Sequence, residues 1–220
     1  MGERYGEECN GSQWRKPSPW GVLALVMLTG IALMKNGVDV ALGPPQPASA
    51  AALVRPGESF APLSTPRTLD STPPERVRIP GIDVDAPIMN VGLDPDGWIE
   101  APPAADPNIA GWYQNGISPG QRGTSVLVGH VDNLSGPAVF YALGSLRKGR
   151  RIEVPRLDGK TAVFEVYGVE VFGKENFPAA QVYGDTGFAE LRVITCGGGY
   201  SKAHGYDGNV VVFARMVKTL

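Results

Sequence analysis

The sequence predicts an all-β domain, a barrel or sandwich, carried behind a single apolar segment and a proline-rich spacer. Three observations lead there. A charge-free apolar run lies near the N-terminus, a stretch dense in proline follows it, and from residue 76 onward short β-branched runs alternate with glycine and proline turns. The chain has 220 residues, of which 20 are basic and 22 acidic. Without a basic excess, nucleic acid is not expected as a partner. Two cysteines and two histidines are too few for a zinc ribbon, an iron–sulfur centre or a disulfide framework.

The first 18 residues read as a tail. Trp20 to Met34 form fifteen residues without a charge, with Arg15 and Lys16 before them and Lys35 closing the run. Residues 19–35 reach the lower length limit of a membrane-spanning helix if the Lys35 stem snorkels. The competing reading is a cleaved signal peptide, with Ala48-Ser49-Ala50 resembling a small-residue cleavage site. That site lies far past the apolar run, so an uncleaved anchor in the lipid bilayer is preferred. Arg15 and Lys16 favour the N-terminus inside, which places the C-terminal domain outside the cell membrane. Residues 36–75 hold eight prolines among Ala, Ser and Thr and show no apolar periodicity. They read as an extended, partly polyproline II linker.

Residues 76–220 change character. Val77, Ile79, Ile82 and Val84 suggest a strand broken at Pro80-Gly81, and Leu93 to Ile99 a turn between two extended pieces. Ser125 to Val131 is a β-branched run bounded by glycines. Ala138 to Arg147 reads as the one clear helix, ended by Lys148-Gly149. Further strands are expected at Arg151 to Val154, Ala162 to Phe172, Glu190 to Cys196 and Asn209 to Val217. With 145 residues, this part is long enough to fold alone.

Few residues can carry chemistry. Cys196 ends an apolar strand before Gly197-Gly198-Gly199, where open backbone N–H groups can face an acyl oxygen. A thiol in that place is either a nucleophile needing a nearby base or a small buried hydrophobe. His130 follows another strand and is either that base or a structural hydrogen-bonder, whereas His204 sits among Lys, Gly and Tyr and reads as a solvated loop residue. Cys-x-x-Cys is absent, which argues against a thiol oxidoreductase. The 66-residue separation of His130 and Cys196 argues against an L,D-transpeptidase, where the pair lies close in sequence. A non-catalytic, anchored β-barrel binding module remains the alternative.

An ordered set of segments carries a family resemblance. Val128-Gly129-His130-Val131-Asp132 looks like the histidine motif of the sortases, most closely those called class F in actinobacteria. Gly111-Trp112-Tyr113, Pro119 to Gly123 and Gly136 to Phe140 are also similar to class F. Val193-Ile194-Thr195-Cys196 resembles the cysteine signature, and Asn209 to Ala214 resembles the last strand. The resemblance implies an eight-stranded β-barrel with one or two short helices and a cysteine transpeptidase without cofactor or metal. It implies that Cys196 attacks the Thr carbonyl of a Leu-Pro-x-Thr-Gly-like sorting signal and that His130 protonates the departing Gly amine. An amine of a peptidoglycan precursor, or a pilin lysine, would then resolve the thioacyl intermediate. One departure stands out. Sortases usually carry an arginine at the start of the last strand, and here that position is Asn209. Asn209 either donates a hydrogen bond to substrate or caps a turn. Lys202 is the only basic residue other than His204 between Cys196 and Asn209, and Arg215 is too far along the strand; the alternatives are an arginine from another loop, such as Arg122, or a weaker enzyme.

Overall fold

Turn residues and β-branched runs cut residues 76–220 into ten strands, and eight of them close on themselves. A computed structural model describes Met27, residues 43–53 and residues 66–220. The chain divides into two compact units, Met1–Ala41 and Leu42–Leu220, and the fold belongs to the second. The expected tail, the anchor at 19–35 and linker residues 36–42 and 54–65 lie, apart from Met27, outside the described residues. Among the described residues no helix is long and apolar enough to cross a membrane.

The barrel runs β1 (Arg76–Ile79), β2 (Val84–Val91), β3 (Ala110–Tyr113), β4 (Gly123–Val128), β9 (Ala189–Ser201), β10 (Gly205–Thr219), β8 (Thr161–Gly173) and β7 (Arg151–Pro155), and β7 returns to β1. The short β5 (Asp132–Asn133) and β6 (Gly136–Pro137) form a separate ribbon. Most neighbours are antiparallel, but β2 pairs β3 and β4 pairs β9 in parallel. The expected break at Pro80-Gly81 is a 3-10 turn between β1 and β2. The expected turn after Leu93 is closed by pairing of Leu93 with Ile99. Strand β3, which apolar patterning alone does not mark, fits beside β2 because Gly111 lets the Val91 side chain approach; a Cβ there would lie 2.8 Å from Val91 Cγ1.

Alternation along the strands divides the core in two. On β9, Leu191 and Val193 join the large interior cluster with Val77, Leu127, Phe164 and Val212. Fully burying each such side chain contributes about 1.5–3 kcal/mol. Ile194 points to the opposite face and packs with Val126, Val211, Phe213 and Val182. Val182 comes from α1 (Ala179–Tyr183), a five-residue helix that the sequence did not signal.

The expected helix over Ala138 to Arg147 is not formed. That segment holds turns and a 3-10 stretch at Leu143–Ser145. Val139, Phe140, Leu143 and Leu146 recur at helical spacing and are all buried, which is why the pattern misleads. The main-chain donors decide otherwise. The N–H groups of Ala138, Val139 and Phe140 donate to the carbonyls of Val131, Pro107 and His130, so the segment serves as a plug stitched to its surroundings.

Barrel contacts also extend upstream of Arg76. Leu69 N–H donates to Gly120 O, and Pro74 bridges to Arg156. The Arg156 guanidinium is fully buried; it donates to Pro119 O and Asp70 O, each at 2.6 Å, and pairs with Asp158 at 3.1 Å. Farther upstream Ala51 is buried in the main core, and Leu53 N–H donates to Glu170 Oε1 at 2.6 Å. Gly168 makes room for this strap, since a Cβ there would meet Leu53 Cδ2 at 2.3 Å.

Candidate active site

Strand register assembles the site. In the parallel pair β4–β9, Val128 lies opposite Ile194. Two residues further on each chain stand His130 and Cys196, just past the last pair of this ladder, so the parallel register carries both to the same end of the two neighbouring strands. The ends are stapled. Gly129 N–H donates to Ile194 O at 3.2 Å, and Thr195 Oγ1 donates to Gly129 O at 2.8 Å. Across the other edge of β9, Cys196 lies opposite Asn209 of β10, and Asn209 lies opposite Phe172 of β8. A row of Cys196, Asn209 and Phe172 therefore crosses three strands beside His130.

Cys196, Asn209 and His130 line one cleft of about 470 Å³, whose lining also includes Trp98, Ile99, Tyr183, Ile194 and Lys174. Trp98 and Phe172 both meet the Phe177 ring edge-on, at 6.4 and 6.1 Å, and Phe177 contacts Tyr183 at 5.8 Å. This gives the cleft an aromatic wall suited to apolar peptide side chains.

Cys196 is a free, half-buried thiol. The strand does not end at it, as the glycines had suggested. β9 continues to Ser201, with Gly198 at φ +86° and a register shift against β10 between Tyr206 and Gly208. The glycines are absorbed by this irregular hairpin rather than by a free loop. His130 is half-buried, with Nε2 at 2.7 Å from Pro102 O. A carbonyl only accepts, so Nε2 carries the hydrogen and Nδ1 is the nitrogen able to take a proton.

A second tie joins the two halves of the site. Tyr206, in the hairpin beyond Cys196, donates its hydroxyl to Asp132, two residues after His130, at 2.5 Å. Burial, followed by this hydrogen bond and the Asp132 charge, pushes the Tyr206 hydroxyl above its ordinary range. The tie thus stays protonated at any physiological pH.

A family model for the sortase domain matches residues 77–217. The chain belongs to the sortase family. Sortases are cysteine transpeptidases, and the eight-stranded barrel is the sortase fold. Among solved structures, the chain is similar to SrtA sortase from Actinomyces oris, with 19% identity and a TM-score of 0.52 over 71% of this chain and 88% of that one. It is similar to sortase A of Listeria monocytogenes, with 18% identity and a TM-score of 0.50 over 68% and 90%. Sortase C-1 from Actinomyces oris is 27% identical, with a TM-score of 0.50 over 65% and 72%. A comparison with curated protein sequences finds no significant match.

In this sortase the cleft gathers Cys196, His130 and Asn209 but not the other candidates. His204 is exposed on the β9–β10 hairpin, its N–H donating to Ser201 Oγ, and Lys202 is exposed beside it. Arg122 is exposed and lies against Gly187. Arg215 is bound to Glu190 at 2.9 Å and stacks over Phe188, its guanidinium carbon 4.0 Å from the ring centroid. Arg192 is buried against the same carboxylate at 2.6 Å. Burial pushes the Glu190 carboxyl up, but Arg192, with hydrogen bonds from Arg192, Arg215 and Tyr167, holds it below the usual carboxylate range. Lys174 in the cleft was missed from sequence. Its placement depends on β8 running one residue past Phe172 and pairing with β10, which no local pattern reveals.

Proposed function

We propose that this sortase is a class F-like, membrane-tethered transpeptidase that cleaves a Leu-Pro-x-Thr-Gly-like sorting signal between Thr and Gly. Cys196 is its nucleophile and His130 its acid and base. The single observation that carries this is one cleft, walled by aromatic rings, lined by both a free thiol and a half-buried imidazole. The Cys196 thiol gives its proton to His130 Nδ1, and Sγ bonds to the Thr carbonyl carbon. The carbonyl π pair moves to oxygen and returns as the C–N bond breaks. His130 delivers the proton to the departing Gly nitrogen. An incoming amine, from a peptidoglycan precursor or a protein lysine, then attacks the thioester and loses a proton to His130, and Sγ leaves as the thiol. Asn209 lies opposite Cys196, and in this reading its amide donates a hydrogen bond to the bound peptide.

Incubating the full-length chain with a Leu-Pro-x-Thr-Gly peptide should give a thioacyl adduct on Cys196 by mass spectrometry. Cys196→Ala should show neither adduct nor cleavage while keeping its circular dichroism spectrum. Cleavage retained by Cys196→Ala would remove the reading and leave a binding module or another nucleophile. The cell-surface location rests on the charge-flanked apolar run at 19–35 and the proline-rich stretch after it. External protease on intact cells should remove a C-terminal tag; protection until lysis would place the domain in the cytoplasm.

A further inference from the structure

Attack of a thiolate on an amide carbonyl places a negative charge on the carbonyl oxygen, and groups prearranged around that oxygen set much of the rate. The cleft is poorly supplied with fixed positive charge. His130 must deliver a proton to the leaving nitrogen, and its Nε2 is already held by Pro102 O. Asn209 is neutral. Arg192 is spent on Glu190 and on Val182 O at 2.9 Å, and Arg215 on Glu190. Among the described residues lining the cleft, that leaves one basic side chain, Lys174.

We propose that Lys174 supplies the cation that stabilises the oxyanion formed when Cys196 attacks the substrate carbonyl. This rests on the reading of Cys196 as nucleophile. Lys174 lies two residues past Phe172, which heads the row Phe172, Asn209, Cys196 across β8, β10 and β9. Its main-chain N–H donates to Asp207 O at 2.9 Å, which fixes the base of the side chain two residues before Asn209 along β10. Two strand spacings, about 10 Å, separate β8 from β9, and with the two-residue offset of Lys174 along the strand its main chain lies about 12 Å from that of Cys196. The extended four-carbon stem of a lysine covers about half of that distance, and a peptide carbonyl held above Asn209, in the cleft that all three residues line, closes the rest. Among the described residues Lys174 forms no ion pair, so its ammonium is not committed elsewhere. It is exposed in the empty cleft. A bound peptide covers it and excludes water, so its charge acts most strongly when the oxyanion forms. A lysine arriving from β8 thus does from the far side of Asn209 what an arginine on β10 would otherwise do.

The test compares full-length Lys174→Met and Lys174→Arg with the wild type, measuring kcat and KM for peptide cleavage and the thioacyl adduct on Cys196. The melting temperature of each variant is recorded alongside, and Lys174→Gln serves should Lys174→Met prove unstable. Lys174→Met should lower kcat on the order of 10²-fold with KM within about threefold of wild type. Lys174→Arg should keep kcat within about threefold of wild type. A loss in kcat below about tenfold for the neutral variant, an effect confined to KM, or an arginine variant no better than methionine overturns the assignment. Absence of any adduct in the wild type would bring down the reading of Cys196 instead, so the two failures are distinct.

Discussion

Gly129 is the residue on which the geometry of the site most directly depends. A Cβ at this position would lie 2.6 Å from Phe140 Cδ2 and 2.7 Å from Val139 Cγ1. Both neighbours are buried, and Phe140 has no exposed surface into which to move. Gly129→Ala therefore forces a shift approaching 1 Å at either the Phe140 ring or the main chain at 129. Overpacking of this kind costs about 1–3 kcal/mol. At about 2–4 °C per kcal/mol for a chain of this size, the melting temperature should fall by between about 2 and 12 °C. The catalytic effect should be larger in proportion. Phe140 N–H donates to His130 O at 3.0 Å, and Gly129 is stapled to both Ile194 and Thr195. Any shift is thus passed to the imidazole and the thiol, and about 1 Å of misplacement can cost 10²-fold in rate. Thermal melting followed by circular dichroism, together with kcat for peptide cleavage, reads both effects. Adding Phe140→Leu should relieve the clash, so the double variant should be less destabilised than the sum of the single ones. Wild-type melting and full cleavage in Gly129→Ala would show that the packing around His130 does not constrain the site, and the reasoning would fail.

His130→Ala should reduce cleavage by about 10²–10⁴-fold, the range that general acid–base help supplies, while His204→Ala stays within about twofold; the reverse order in a peptide-cleavage assay would overturn the assignment of the acid and base. Glu190→Gln should destabilise the fold by about 3 kcal/mol at pH 7, because Arg192 and Arg215 lose their shared counter-charge. The Glu190 carboxyl sits below its unfolded range, so its contribution is complete above an unfolded pKa of about 4.3 and is lost as pH falls through the lower folded value. Urea midpoints of wild type and Glu190→Gln should therefore converge below about pH 4; a gap that stays constant into acid would show that the charge is not what stabilises.

Runs such as Ser125 to Val128, Ala162 to Phe172 and Leu191 to Cys196 reveal their strands because β-branched side chains alternate between two buried faces, and the interior of the barrel and the Phe213 cluster both demand apolar residues. The plug at Ala138 to Arg147 was illegible because its apolar spacing fits a helix while its hydrogen-bond partners lie in segments distant along the chain. The strap at 49–53 was hidden for a related reason: proline and alanine announce an extended chain but not that Ala51 finds a slot in the core. Cys196 and His130 were visible as residue types after apolar β-branched runs and as parts of recognisable motifs. Their adjacency was not, since it follows from the parallel register of β4 on β9. Lys174 and Tyr206 were invisible for the same reason, because their positions are set by pairings across the sheet and not by their neighbours in sequence.

That parallel pairing also governs when the site comes into being. Thr195 and Gly129 are joined by a hydrogen bond across 66 residues of chain. No hairpin can bring them together, and closing so long a loop carries an entropic cost that only extensive later contacts repay. β9 in turn is held along its length by β10, which ends at Thr219. A nascent chain that has completed β4 has its imidazole but no partner thiol, and one that has reached Cys196 still lacks the strand that fixes it. The thiol and the imidazole therefore meet only as the high-contact-order barrel closes near the end of folding. A partly made or partly folded chain therefore lacks the assembled pair of thiol and imidazole, and the topology of the barrel sets the moment at which the two groups meet.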